Sequence, residues 1–151
     1  MIIRKILAPI DFSERSREEL RWATTLAKNF CAELITLHVI PSEVADLALK
    51  EGKDWDAMRG EVSAQTYLLV DEICRDLGVI GLVHEEHVVA GAAADEILHA
   101  IKHRGIDLVV ISTHGRTGLS HTLMGSVVEK IVRSSPVPVL TLNEATMTST
   151  V

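Results

Sequence analysis

At 151 residues the chain has the length of one ordinary domain, enough to bury a substantial hydrophobic core. Hydrophobic residues make up 47% of it and aromatic residues only 3%, a composition typical of a parallel sheet of aliphatic strands enclosed by helices. The formal net charge of −6 and the lack of a basic cluster with interleaved aromatic residues argue against a nucleic-acid-binding surface.

The first half of the chain alternates between strand-like and helical patterns. A strand at Lys5–Ile10 precedes a helix at Glu14–Phe30 and a second strand at Glu33–Ile40. Residues 41–60 are acidic and contain two glycines, so we expect the least regular part of the chain there. Apolar residues at helical spacing then predict a helix over residues 62–77, which Gly78 ends.

The second half continues the alternation. It predicts a third strand over residues 82–90, a helix between Gly91 and Gly105, and a fourth strand over residues 107–111. A glycine-bearing loop leads to an amphipathic helix opened by Ser126, and a fifth strand covers residues 137–142. This order predicts an α/β fold, a three-layer α/β/α sandwich around a five-stranded parallel sheet with right-handed crossovers.

Two further features concern domain limits and compartment. We expect one domain over residues 1–142 and a disordered polar tail over residues 143–151. No apolar run is long enough for a signal peptide or a membrane span. Cys31 and Cys74 are isolated from each other in sequence, so we expect two free thiols and a cytoplasmic protein without membrane contact.

The segment after the fourth strand carries the clearest sign of a ligand. Three glycines, Gly115, Gly118 and Gly125, lie between this strand and the helix that follows, and Arg116 adds a positive charge. Glycines allow an anion to approach the backbone closely, and a helix N-terminus offers unpaired N–H groups. In a parallel α/β sheet such a site lies beyond the carboxyl ends of the strands, where the strand order reverses.

These residues resemble the universal stress protein family, in particular its ATP-binding branch. That branch has Gly-x-x-Gly, nine residues, and then Gly-Ser or Gly-Thr; here Ser112-Thr113-His114-Gly115 is followed by nine residues and Gly125-Ser126. The stretches PIDFSERS from Pro9, LHVI from Leu37 and SSPVPVL from Ser134 also match the family style. The resemblance covers nearly the whole chain and implies the Rossmann-like fold of adenine nucleotide alpha hydrolases.

The resemblance implies a role for particular residues in binding ATP, or AMP or ADP, with Mg²⁺ or Mn²⁺. It implies that Asp11 lies near the ribose or its metal and that the Val39 backbone contacts adenine. The metal would be held mainly by phosphate oxygens and water. The implied binding residues are Pro9, Asp11, Val39, Ile111, Ser112, His114, Gly115, Arg116, Gly125, Ser126 and Val127.

Two of these residues leave alternatives open. Ser112 replaces the first glycine of the motif, and its side chain either hydrogen-bonds the nucleotide or narrows the pocket. His114 either contacts the ligand or orients the loop.

Several of the same residues also have purely structural explanations. Ser126 with Glu129 three positions later has the spacing of a helix capping box. Asp11 and Ser13 stand where they could cap the first helix. We expect the capping box and phosphate contact to be compatible, and we favour a binding role for Asp11 because it follows a strand end.

Other chemistries find less support in the sequence. His99 and His103 have a helical metal-ligand spacing but no evident third ligand. We expect His84 and His87 to lie on opposite faces of a strand, both at the surface. There is no nucleophile elbow, and the residues after the third strand lack the acidic acceptor of a phospho-receiver domain. Any ATP hydrolysis or autophosphorylation should be slow.

The last predicted strand bears on assembly. Residues 137–142 run from Val137 to Leu142 and are mostly apolar, and an edge strand of this kind needs a partner. The resemblance implies a homodimer through this strand and an unidentified downstream protein partner. Two other hypotheses are a dimeric adaptor that binds no nucleotide and a slow nucleotide-hydrolysing or adenylating enzyme.

Overall fold

A computed structural model describes residues 2–113 and 124–143 of the chain. Strands and helices alternate along most of it. In chain order the elements are β1 (Lys5–Ile10), α1 (Glu14–Phe30), β2 (Glu33–Ile40), α2 (Ser42–Lys50), α3 (Trp55–Asp76), β3 (His84–Ala90), α4 (Ala93–His103), β4 (Leu108–Ser112), α5 (Ser126–Ser134) and β5 (Val139–Leu142).

The described strands form one five-stranded sheet in the order β3-β2-β1-β4-β5, with every neighbouring pair parallel. The chain winds outward from β1 to β3 on one side and then returns to place β4 on the other side of β1. The order therefore reverses between β1 and β4, the position at which ligands bind in open parallel sheets.

Helices cover both faces of the sheet. Alternate residues of β1 point to opposite faces, so Ile6 packs with α1 and α3 while Leu7 packs with α4 and α5. Both side chains are fully buried. The predicted α/β sandwich with a Rossmann-like parallel sheet is confirmed.

The expectation for residues 41–60 is wrong, because α2 and the start of α3 occupy most of them. Ala45 of α2 is buried in a small cluster with Ile40 and Val88. Gly52 adopts a left-handed φ of 82° between the two helices, and the Asp54 side chain then caps α3 through the N–H of Ala57 at 2.9 Å. The glycine marks a helix end rather than irregular structure.

Four strand boundaries differ from the predicted ones. β3 begins at His84, two residues late, and β4 extends to Ser112. Asp107 stays outside β4 because its carboxylate accepts the N–H groups of Arg4 and Lys5, at 2.8 and 3.0 Å. β5 begins only after Pro138, which has no N–H to donate to a ladder.

β5 forms an edge of the sheet in the described structure. None of the helices placed in residues 2–113 and 124–143 combines the length and the apolar character that a bilayer crossing requires. The predicted tail falls, apart from Asn143, outside these ranges, as do His114, Gly115 and Arg116 of the predicted loop.

Candidate functional site

A cavity of about 260 Å³ opens at the carboxyl edge of the sheet. The ends of β1, β2 and β4 and the starts of α1, α4 and α5 line it. This is the crevice at the reversal of strand order, and its volume is just below the range of typical small-molecule sites.

The cavity brings together all the predicted binding residues that the structure describes. They come from the strand ends and the start of α5: Pro9, Asp11, Val39, Ile111, Ser112, Gly125, Ser126 and Val127. Convergence of residues separated by more than a hundred positions follows from the parallel order of the strands, since all their carboxyl ends lie at one edge. Their contact with a nucleotide stays a prediction.

The start of α1 is braced by its own side chains. Ser13 is the N-cap, and its Oγ accepts the N–H of Ser16 at 3.2 Å. Asp11 does not cap the helix; its Oδ1 accepts the N–H of Ser13 at 2.9 Å and so fixes the turn. Phe12, between them, has a left-handed φ of 61° and places its ring 5.0 Å from the His38 ring.

The start of α5 is built differently, and the predicted capping box is wrong. Gly125 is the N-cap, with extended φ and ψ of −61° and 148°, and no side chain among the described residues caps the helix. Ser126 is already the first helical residue, one position too late to be the N-cap. Glu129 instead forms an ion pair with Arg133 at 2.6 Å.

Gly125 also closes the loop that precedes α5. Its N–H donates to the carbonyl oxygen of Thr113 at 3.0 Å, so the two ends of the predicted phosphate loop meet. A Cβ at Gly125 would lie 3.5 Å from that same oxygen, an ordinary contact. The fold alone therefore does not demand glycine here.

Both aliphatic and polar residues line the cavity. Leu37, Val39, Ile97 and Ile111 supply aliphatic walls. Asp11, Ser16, Glu19, Ser112 and Ser126 supply polar groups. An aliphatic wall next to a helix N-terminus suits a ligand that joins a flat apolar group to an anion.

Two of the polar lining residues, Ser16 and Glu19, were not among the predicted binding residues. Glu19 is only 1% exposed, and its Oε2 accepts the N–H of Ser112 at 2.8 Å. Burial raises the pKa of this carboxyl well above its usual range; the N–H and hydroxyl of Ser112 oppose the shift, and the charge of Asp11 adds to it. A signal was available, because Glu19 precedes Ala23 and Ala27 by four and eight positions on the buried stripe of α1.

The described histidines His84, His87, His99 and His103 do not line the cavity, and one prediction about them is wrong. The His84 side chain is only 7% exposed, since it lies beneath α3 and its Nε2 is 2.9 Å from Oγ1 of Thr36. Burial lowers the pKa of His84. The rings of His99 and His103 stack at 4.0 Å on α4. Within residues 2–113 and 124–143, no three potential metal ligands cluster.

Comparison with known proteins assigns the family. The model of the universal stress protein family matches residues 3–143. The chain is 31% identical to the universal stress protein YxiE of Bacillus subtilis, over 92% of this chain and 98% of that protein. It is 26% identical to MJ0577 of Methanocaldococcus jannaschii, whose structure superposes with a TM-score of 0.75 over 95% of this chain and 98% of that one.

The same fold has been solved with a nucleotide bound. A universal stress protein from Archaeoglobus fulgidus in complex with dAMP superposes with a TM-score of 0.66, at 22% identity, over 93% of this chain and 98% of that one. At this identity the likeness concerns the fold. The match of the family model over nearly the whole length decides the assignment, and the chain belongs to the universal stress protein family.

Proposed function

We propose that this chain binds an adenine nucleotide, ATP or else AMP or ADP with Mg²⁺ or Mn²⁺, in the cavity between β1 and β4. In this proposal it acts as a cytoplasmic, nucleotide-responsive module of a stress response. One observation carries the proposal: α5 begins at the cavity with Gly125, and no side chain in the described part of the chain caps it. The dAMP complex of the Archaeoglobus relative supports the choice of ligand class.

The phosphates would lie at the start of α5. The first N–H groups of a helix have no partner within it, and the helix dipole places partial positive charge at the same end. Ser126 and Val127, the first two residues of α5, line the cavity. Gly125 lets phosphate oxygens approach the backbone without meeting a side chain.

The base and the ribose would occupy the opposite part of the cavity. Val39 offers backbone groups at the end of β2, and its half-buried side chain lies on the aliphatic wall. Asp11, at the end of β1, offers a carboxylate to ribose hydroxyls while its Oδ1 holds the turn. The metal would take its ligands mainly from phosphate oxygens and water.

A homodimer through β5 is part of the proposal. β5 is an edge strand, and its exposed backbone groups can pair with a second copy. Pro138 precedes the strand and removes one donor, so pairing must tolerate a gap there. Nucleotide binding at the neighbouring β4 and α5 would then alter the surface that the dimer offers to a downstream partner.

The test is calorimetric titration of nucleotide-stripped protein with ATP and Mg²⁺, using the wild type, Gly125→Val and Gly60→Val. Gly60 is exposed in α3, and a Cβ there meets nothing within 4 Å, so it is the matched control. We expect wild type and Gly60→Val to bind alike and Gly125→Val to lose at least about 30-fold in affinity, roughly 2 kcal/mol. Equal binding by all three proteins would place the phosphates elsewhere.

Absence of binding by a folded wild type would refute the proposal. It would favour the alternative of a dimeric adaptor of the same fold that binds no nucleotide. The enzymatic alternative predicts turnover that disappears in Asp11→Asn, whereas a binding module predicts only weaker affinity.

A further inference from the structure

Glu19 is a buried carboxyl group for which the proposed binding mode has no use. It lies on α1 with 1% of its surface exposed, and it lines the cavity beside Ser112. Its Oε2 accepts the N–H of Ser112 at 2.8 Å, whereas its Oε1 is buried and has no hydrogen-bond partner in the described structure. Buried polar atoms are normally paired, so an unpaired carboxyl oxygen requires an explanation.

The surroundings of Glu19 favour its protonated form. No Lys, Arg or His among the described residues forms an ion pair with it. Burial raises the pKa of its carboxyl, and the nearby charge of Asp11 acts in the same direction. A neutral carboxyl can still accept the Ser112 N–H through Oε2 while Oε1 carries the proton.

Other titratable groups lie on the elements packed against α1, besides Asp11. β4 has no ionisable residue between Leu108 and Ser112. On β2, the His38 ring contacts the carbonyl oxygen of Ile10. Three ion pairs join residues of these elements, Lys5 with Glu33, Arg17 with Glu72, and Arg21 with Asp76, and none of the six residues lines the cavity.

Ser112 connects Glu19 to the ligand site. Ser112 is the last residue of β4, and Thr113, which follows it, accepts the N–H of Gly125. The Glu19 carboxyl thus holds the backbone at the point where the chain leaves the sheet towards the start of α5. It also faces a cavity that, in the proposed function, receives phosphate.

We propose that Glu19 is a positioning residue of the nucleotide site that works in its protonated form. It fixes the N–H of Ser112, and with it the entry to the phosphate loop, without adding a negative charge to a phosphate-binding cavity. This inference rests on the proposed function. Ionisation of Glu19 then opposes phosphate binding, so nucleotide affinity falls as the pH rises through the pKa of Glu19, and nucleotide binding takes up a proton in that range.

The test compares the pH dependence of nucleotide affinity in the wild type, Glu19→Gln and Glu18→Gln. Glutamine keeps an acceptor for the Ser112 N–H and cannot ionise. Glu18, the next residue on α1, is 43% exposed and lies 4.0 Å from Arg21, which makes it the matched control. Each protein is titrated with ATP and Mg²⁺ at a series of pH values. Protonation of ATP itself affects all three proteins equally, so it cancels when their affinities are compared.

We expect Glu19→Gln and wild type to bind alike at low pH and to diverge as the pH rises. The wild-type affinity should fall relative to Glu19→Gln by up to about tenfold per pH unit, the limit for one linked proton. Glu18→Gln should follow the wild type. Parallel curves for wild type and Glu19→Gln would overturn the positioning role and leave the nucleotide site standing.

A second measurement keeps the two proposals distinguishable. Binding by neither wild type nor Glu19→Gln at any pH would refute the nucleotide site and the positioning role together.

Thermal unfolding without ligand tests whether Glu19 is protonated in the fold, independently of nucleotide binding. The raised pKa means that the fold binds a proton more tightly than the unfolded chain, so stability is lost as the pH rises from 4.5, the usual value, through the raised pKa. Glu19→Gln should remove that loss, and an unchanged curve would overturn the inference.

Discussion

Two helix starts face the same cavity, and they are built in opposite ways. The first turn of α1 is closed by Ser13, whose Oγ accepts a backbone N–H, and by Asp11, which braces the turn. The first turn of α5 begins with Gly125 and receives no side-chain cap among the described residues. In the described structure a side chain caps the start of α1 and none caps the start of α5, whose N–H groups the proposed function assigns to phosphate.

The difference has a cost in folding stability. A side-chain N-cap is worth about 0.3 kcal/mol more than glycine, and the described residues supply no such cap to α5. An anion at the same place would supply equivalent hydrogen bonds and would benefit from the helix dipole. The start of α5 is therefore the place where a gain in stability and a loss of binding should coincide.

The largest expected effect comes from capping α5 artificially. Gly125→Asp supplies an N-cap carboxylate, which should raise the free energy of unfolding by roughly 0.3 kcal/mol, the small advantage of Asp over Gly at an N-cap. The same carboxylate occupies and repels the phosphate position, so affinity for ATP should fall at least about 100-fold, or 2.7 kcal/mol. Denaturant unfolding and calorimetry measure the two effects.

Pro41→Asp is the control for this change. Pro41 is the N-cap of α2 and also gives no side-chain cap, but it is not among the residues that line the cavity. A carboxylate there should leave nucleotide affinity unchanged. If Gly125→Asp retained wild-type affinity, the start of α5 would not be the phosphate site.

Removing the charge of Asp11 should have the next largest effect. In Asp11→Asn the amide oxygen can still accept the N–H of Ser13, so the turn and the fold should persist. The loss of a charged acceptor for ribose hydroxyls should weaken ATP binding about tenfold, or 1.4 kcal/mol. Calorimetry measures the affinity, and circular dichroism checks the fold. An unchanged affinity would restrict Asp11 to its structural role.

Removing the cap of α1 should affect stability but not binding. Ser13→Ala leaves the N–H of Ser16 without its acceptor and should lower the free energy of unfolding by about 1 kcal/mol. Nucleotide affinity should stay within about threefold, since Ser13 does not line the cavity. Asp54→Ala, which removes the cap of α3, should give the same pattern. A loss of affinity specific to Ser13→Ala would show that both helix starts serve the ligand.

The sequence predicted the parts of the fold that local patterns determine. The aliphatic strands and the helix between them follow from periodicity, and the parallel order then places all strand ends at one edge. For that reason the eight described residues named for the site surround one cavity. The prediction of irregular structure over residues 41–60 was wrong. A glycine in an acidic stretch has the same sequence pattern whether it ends a helix, as Gly52 does, or interrupts one.

Other errors arose where tertiary contacts determine the helix boundary or the environment of a side chain. The spacing of Ser126 and Glu129 fits a capping box, but the Gly125 N–H bond to Thr113 makes Gly125 the cap and shifts the helix by one residue. Glu19 belongs to a charged run on α1, and its place on the buried stripe with Ala23 indicated burial, but local patterns could not predict its partner Ser112, 93 positions away. The edge position of β5 could be known only from the complete strand order, which local patterns do not determine.

The smallest expected effect concerns His84 in β3, at the edge of the sheet far from the site. Burial lowers the pKa of His84 in β3, so the unfolded chain binds a proton more tightly than the fold does. Stability is therefore full above the usual pKa of 6.5 and is lost as the pH falls below it, the reverse of the dependence expected from Glu19. His84→Gln should reduce the loss of stability at acidic pH, by a free energy smaller than the loss expected for Ser13→Ala. His99→Gln, at an exposed position, should leave the acidic part of the curve unchanged. Thermal unfolding from neutral to acidic pH measures this, and an unchanged acid limb in His84→Gln would assign the acid sensitivity to other groups.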